Sequence, residues 1–415
     1  MRDGTGLGAR AKTGKGFTRA RRGACETRVK SEMKRGIDGL FGVEDSGIKG
    51  MCTYESVAEL LLIWMVGLLC GLEDPEQVQM FAKGQMKWLR RFMPFEQGIP
   101  SVSTLKRILC LIEPKHFAEL VAAHSELWAQ GHDPQTQGNA GDLAIDGKCL
   151  RGASKKKEEH KGLYTLNVAA HRTGVMFSHA IVQEKSNEIT AIPELLKLLD
   201  IKGATVTIDA AGTQVKIADQ IIAQQGQYLL ALKGNQGTLC QDVGLYCADP
   251  SVLPADTHSD TSFGHGRIEE RTARVYEDLD WLKKIHPQWS HIQAIVRVEG
   301  CVTDKKNGKT TIETRYYISS QKGTAEDLGK KARRHWTVEK NHWILDVIFR
   351  EDTSRYQKNA AINLSLLRKM TLNLLLLQRP PEDSKDKEKP RRFKIMRYKA
   401  HNDEAYREAL LAPVL

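Results

Sequence analysis

Closely spaced cysteines are missing from this chain. Its eight cysteines (Cys25, Cys52, Cys70, Cys110, Cys149, Cys240, Cys247 and Cys301) are scattered over 415 residues, and none forms a Cys-x-x-Cys pair. That spacing excludes a zinc ribbon and a disulfide-stapled secreted domain, and it fits reduced thiols in a cytosol. A long apolar run is missing as well. The longest, Leu60 to Leu72, falls short of the ~20 residues that span a bilayer, so a buried core helix is expected there and no membrane partner. The N-terminus is basic and has no apolar stretch of the signal-peptide kind, so a soluble, cytoplasmic protein is expected.

Positive charge, by contrast, is in surplus. Lys and Arg number 62 against 51 Asp and Glu, for a formal net charge of +11 and a pI near 9.1. Such a balance favours an anionic partner without naming one. Hydrophobic residues at 41% and charged residues at 27% suit a globular protein whose length allows two or three units.

Residues 1–50 are rich in Gly, Arg and Lys, lack sustained periodicity, and are expected to form a basic, disordered tail. Residues 51–130 carry apolar residues at helical spacing, punctuated by Pro75, Pro94, Pro100 and Pro114, which predicts a small all-α unit. A polar, glycine-bearing stretch from Gly131 to Gly141 reads as a linker. From there the pattern changes. Leu143 to Asp146, Leu163 to Ala170, Val175 to Gln183, Ala204 to Ile208 and Tyr228 to Leu232 are strand-like, with helical stretches at Glu188 to Leu199 and Gln214 to Gln225. Three antiparallel strands followed by two parallel ones, joined through helices, make a ribonuclease-H-like α/β domain over residues 140–378. Within it, residues 234–323 look like a β-rich insertion, with a hairpin turn at Asn307-Gly308. Glu326 to Phe349 predicts one long helix, and Asn363 to Leu377 a strongly apolar one. Residues 379–415 are expected to be a basic C-terminal tail with a short helix.

Two of these strands end on an aspartate. Asp146 closes Ala144-Ile145 and precedes Gly147-Lys148; Asp209 closes Val206-Thr207-Ile208 and precedes Ala210-Ala211-Gly212. Taken singly, each suits a strand-terminal Asp that starts a turn or caps a helix. On neighbouring strands the two would repel unless a cation lay between them. Mg2+, or Mn2+ in its place, takes carboxylate oxygens and substrate phosphates. Such a site needs a third acid, and Glu339 on the long helix is the candidate. Asp346, seven residues on, shares its face as a second-sphere or reserve ligand, ahead of Glu351 and Asp352. Lys148, Arg151, Lys233 and Arg334 are candidate contacts to substrate phosphates. His335, Trp336, His342 and Trp343 fit amphipathic packing around Glu339 better than a stacking role, and the histidines lack zinc spacing.

Four ordered blocks carry a resemblance: Ala144 to Gly152; Lys185 to Leu196; Thr207 to Ala210 with Gln214 and Leu232 to Gln236; and His335-Trp336 with Val338-Glu339, His342-Trp343 and Leu345 to Val347. Over roughly residues 54–410 the chain resembles the H-repeat-associated group of insertion-sequence transposases, within the Asp-Asp-Glu superfamily. The resemblance implies Asp146, Asp209 and Glu339 as catalytic, metal-binding acids. It also implies Mg2+-dependent cleavage at element ends, strand transfer into target double-stranded DNA, and a homo-oligomer on DNA. Two other functions share the fold: a DNA-binding relic without catalysis, and a ribonuclease-H-like nuclease without strand transfer. The chain departs from similar sequences in having one residue fewer between Glu339 and His342-Trp343. Where the superfamily often has Tyr, Arg and Lys around the Glu, it has Ala332, His335 and Asp346.

Overall fold

The computed structural model describes residues 54–132, 141–153, 163–182, 188–264, 266–379 and 392–413. The expectations for residues 1–50, and most of those for the 131–141 linker, lie outside them.

The first described helices are α1 (Tyr54–Leu69), α2 (Pro75–Gly84), α3 (Met86–Leu89), α4 (Val102–Leu111) and α5 (Pro114–His132). Asp74 caps α2 and Ser101 caps α4, each through its side-chain oxygen, satisfying N–H groups that a helix start leaves bare. Leu60, Leu62, Ile63, Trp64, Leu68 and Leu69 of α1 are buried, as its all-round apolar sequence requires.

The sheet follows: β1 (Leu143–Leu150), β2 (Leu163–Ala170), β3 (Met176–Val182), α6 (Glu188–Leu196), β4 (Thr205–Ile208), α7 (Val215–Ala223) and β5 (Gln227–Leu232). Then come α8 (Thr238–Ala248), β6 (Asp256–Gly264), β7 (Arg267–Tyr276), α9 (Asp280–Ile285), β8 (Ala294–Asp304) and β9 (Thr310–Ser319). Among the described residues all nine strands join one sheet, ordered β3-β2-β1-β4-β5-β9-β8-β7-β6. The first three strands are antiparallel neighbours, and β4 and β5 add in parallel, as their order in the sequence predicts. The segment after β5 does not fold apart from this sheet. β9 returns antiparallel to β5, and β8, β7 and β6 extend the sheet outward.

The C-terminal half closes with α10 (Ala325–Arg334), α11 (Trp336–Val347), α12 (Lys358–Leu376), α13 (Phe393–Asn402) and α14 (Glu404–Leu411). Two expectations change here. The single helix predicted over Glu326 to Phe349 is broken at His335. Residues 392–413, expected as tail, form two helices fastened to the N-terminal ones. Arg397 Nε donates to Leu68 O at 2.8 Å, and Arg407 Nη2 to Gln85 Oε1 at 2.9 Å. These arginines are buried and satisfy backbone and amide oxygens, which is why a basic segment packs inward.

Helix α12 ties the helical layer to the sheet. Asn363 Nδ2 donates to Leu109 O and Ile112 O, both at 2.9 Å, where α4 ends. Asn373 Oδ1 accepts from Met176 N at 2.8 Å, and its Nδ2 donates to Met176 O at 2.7 Å and to Ser125 Oγ at 2.9 Å. One apolar cluster accordingly runs through α1, α2, α4, α5, α12 and one face of β1–β3. The opposite face of the sheet packs on α6, α7 and α8.

Candidate active site

Parallel pairing puts Ile145 of β1 level with Ile208 of β4. Asp146 and Asp209, each the next residue, therefore stand side by side where the two strands part. β4 ends there, whereas β1 continues to Leu150 along β2. Asp209 opens a turn, its Oδ1 accepting from Ala211 N at 3.1 Å and Gly212 N at 3.2 Å. Gly212 is required for space: a Cβ there would lie 2.4 Å from Ile208 Cγ2.

Two side chains of the Leu232 to Gln236 block, from the short turn that follows β5, hold the Asp209 turn in place. Asn235 Nδ2 and Gln236 Nε2 both donate to Ala210 O, at 2.7 and 2.6 Å. Thr213 Oγ1 adds a bond to Ala231 O at 2.7 Å. The Lys233-Gly234-Asn235-Gln236 block is thus a brace on the residue after Asp209. Lys233 itself is exposed.

Helix α11 brings the third acid. It is docked by polar contacts along its inner face: Asn341 Nδ2 donates to Gly174 O at 2.7 Å, and His342 Nε2 meets Asn167 Nδ2 at 2.9 Å. His342 Nδ1 lies 3.4 Å from Asp146 Oδ2, and Gly147 N donates to Asp146 Oδ1 at 2.9 Å. Burial works to raise the Asp146 carboxyl pKa. The bond and charge of His342, the charge of His335 and the Gly147 N–H outweigh it, so the pKa is lowered and the group stays ionised.

His335 sits at the break between α10 and α11. Its Nδ1 meets Thr207 Oγ1 at 3.1 Å, and His171 Nε2 meets the same oxygen at 2.9 Å. Burial lowers the pKa of His335 while the charges of Asp146, Glu339 and Asp209 oppose the shift. One imidazole thus lies in the field of all three acids. Its Nε2 is buried and has no hydrogen-bond partner among the described residues.

The other predicted residues divide. Glu339 is exposed on α11. Exposed Trp336 and Trp343 flank it one helical turn away on either side, and Arg315 lies over the Trp336 ring at 5.0 Å. The expectation that His335, Trp336, His342 and Trp343 all pack inward holds for His342, holds in part for the half-buried His335, and fails for the tryptophans. Arg151 is largely exposed, 3.8 Å from Asp352, and Arg334 is half-buried in the last turn of α10.

Lys148 is not where a phosphate contact needs it. Only 6% exposed, it bonds Asp346 and lies 3.0 Å from Glu351. Asp346 likewise points at Lys148, on β1, and serves as an anchor of α11. Glu351 is buried too, its pKa held down against desolvation by Lys148, Lys369 and Arg368. The fully buried Lys369 is pushed down to about 8 by desolvation, which the charge of Glu351 opposes.

Asp146, Asp209 and Glu339 offer the hard oxygen atoms that Mg2+ or Mn2+ prefers, and no Lys or Arg among the described residues pairs with either aspartate. Also among the described residues, no three His, Cys, Asp or Glu side chains are grouped closely enough to hold an ion.

A family model described as "Transposase DDE domain" matches residues 138–374, the stretch that holds all three acids. The chain belongs to the DDE transposase family. A second model, described as DDE_Tnp_1-associated, matches residues 38–125, which include the helices before the sheet. Relatives extend the match. "Putative transposase YncI" of Escherichia coli O157:H7 is 32% identical over 349 residues, covering 82% of this chain and 86% of the relative. "H repeat-associated putative transposase YhhI" of E. coli K12 is 32% identical over 326 residues, covering 77% and 84%. Among solved structures, a chain of a piggyBac transposase synaptic complex with hairpin DNA overlaps at 11% identity and a TM-score of 0.42, covering 95% of this chain and 82% of that one, a likeness too low to carry an argument. No described helix is long and apolar enough to cross a membrane.

Proposed function

We propose that this DDE family member is a DNA transposase, with a ribonuclease-H-like core in which Asp146, Asp209 and Glu339 are the catalytic acids. The observation that supports it most is the convergence at His335. Two aspartates at one level on neighbouring strands, and a glutamate from a separate helix, all act on one half-buried imidazole. Acids drawn from distant parts of a chain that face one group repel one another, a cost that a site for phosphoryl transfer repays.

The reaction is hydrolysis followed by transesterification. Water attacks the phosphodiester at an element end, forming a new P–O bond, and the bond to the 3′ oxygen breaks to free a 3′-hydroxyl. That hydroxyl then attacks a phosphodiester of target DNA, whose own 3′ oxygen leaves. Mg2+, or Mn2+, held by the carboxylates would acidify the attacking water or hydroxyl and neutralise charge on the phosphate. The chain's own residues set the geometry. Gly147 N–H and His342 fix the two oxygens of Asp146, and the Asn235–Gln236 brace fixes the Asp209 turn. Exposed Arg151 and Lys233, with Arg334, supply positive charge for double-stranded DNA, and a homo-oligomer would hold two ends together.

One observation favours a second reading, a DNA-binding protein without catalysis: the ungrouped acids. Purified protein incubated with duplexes carrying the inverted repeats that flank its coding region separates the two. Cleavage with Mg2+ or Mn2+, followed by insertion products, supports the transposase. Binding without cleavage supports the second reading, and cleavage without insertion a nuclease.

A further inference from the structure

Strands β6–β9 run past the acid-bearing edge of the sheet. Ile208 is level with Leu230, and Leu230 with Ile318, so Asp209 stands at about the height of Tyr317. β9 begins seven residues earlier, at Thr310. At ~3.3 Å per residue the ribbon projects roughly 23 Å beyond the acids, on the side where a substrate of those acids must lie.

Along the middle of the ribbon, cations are neutralised in place. Arg297 pairs with Glu299 at 2.7 Å, Arg315 with Glu313 at 2.9 Å, and Arg271 with Glu269. At the tip this stops. Arg267, Lys305, Lys306 and Lys309 are exposed, and none has a carboxylate partner among the described residues. The neighbouring acid, Asp304, spends Oδ1 on Lys306 N at 2.7 Å. Lys305 N donates to Gly266 O at 2.8 Å, tying the β6–β7 turn to the β8–β9 turn, so the four cations form one patch. Phe263, 70% exposed, lies 5.3 Å under the Lys305 ammonium.

We infer that this tip is a second DNA contact, in which Arg267, Lys305, Lys306 and Lys309 grip phosphates of the duplex whose scissile bond lies at the acids. Four like charges on a rigid ribbon repel one another until an anion neutralises them. The projection matches about seven nucleotides of a duplex strand at 3.4 Å of axis each, so the contact falls well outside the reacting phosphate. The inference rests on the proposed action on DNA, and it adds where the duplex is held.

The test is the salt dependence of binding by the full chain to a duplex of about 40 base pairs without special sequence, between about 50 and 200 mM salt. Arg267→Gln, Lys305→Gln, Lys306→Gln and Lys309→Gln together should leave the melting temperature unchanged. They should make the slope of log affinity against log salt shallower by about 3 to 4 units. Lys306→Gln with Lys309→Gln alone should give about half that change, which keeps the test valid if the quadruple variant misfolds. An unchanged slope with a binding-competent wild type overturns the tip contact and leaves the function standing. A changed oligomeric state beside an unchanged slope would assign the tip to a protein partner instead. A wild type that binds no duplex at any salt overturns both.

Discussion

Replacing Lys148 with Met should be among the most destabilising single changes in the protein, and it should act through charge. The side chains have similar length, so little packing is lost. What is lost is the cation between Asp346 and Glu351, the latter 3% exposed. Removing one partner of a buried ion pair costs about 3–5 kcal/mol, because the other charge stays buried and unpaired. A loss of that size lowers the melting temperature on the order of 10 °C. The pH dependence identifies the cause. In the wild type the pKa of Glu351 is lowered in the fold, with Lys148 the strongest opponent of its desolvation. Its contribution to stability is therefore present above its unfolded pKa and lost as pH falls through the folded one. Without Lys148 the Glu351 pKa rises, although Lys369 and Arg368 still oppose its desolvation, so the variant takes up a proton more readily. The stability gap should be widest above the raised Glu351 pKa of the variant and should narrow as pH falls below it. Urea unfolding of both proteins from pH 4 to 8 measures it. A gap under about 1 kcal/mol at neutral pH, or one that does not change with pH, refutes the reasoning.

Gly152→Ala should destabilise by about 1–3 kcal/mol, because its Cβ would lie 2.1 Å from Ser354 O, whereas Gly234→Ala, with nothing within 4 Å, should cost less in the same thermal melts. His171 is buried, and desolvation holds its pKa down to about 3. The unfolded chain therefore takes up a proton below pH ~6.5 that the fold refuses, and stability falls from there toward pH 3. His171→Gln should flatten that part of the stability profile, and an unaltered profile would show that another group titrates.

Much of the sheet is visible in the sequence because β1, β2, β4 and β5 are largely buried runs rich in apolar and β-branched residues with turn residues between them. β6 escaped notice for the opposite reason. Asp256 to Gly264 is an edge strand with no buried residue, so apart from Phe263 its sequence is polar or small and shows no apolar alternation. The break at His335 has no proline or glycine to announce it; it accompanies the packing of one imidazole against Thr207, 128 residues away. Lys148 misled for a related reason. A lysine after a strand-end Asp-Gly reads as a surface cation, and only the fold reveals that Asp346 and Glu351 surround it. Asp209 follows the end of β4, where the apolar run of the sequence stops, but at Asp146 only the apolar run stops and β1 continues to Leu150. Glu339 was not legible alone, since an exposed glutamate on a helix carries no local mark; the ordered blocks around it singled it out.

The central claim is that three acids act together on DNA. Cleavage of flanking-repeat duplexes with Mg2+ by the wild type, Asp146→Asn, Asp209→Asn and Glu339→Gln tests it most directly. The account predicts cut ends from the wild type and none from any of the three variants, with each variant still folded and still binding the duplex. Undiminished cleavage by all three would contradict it.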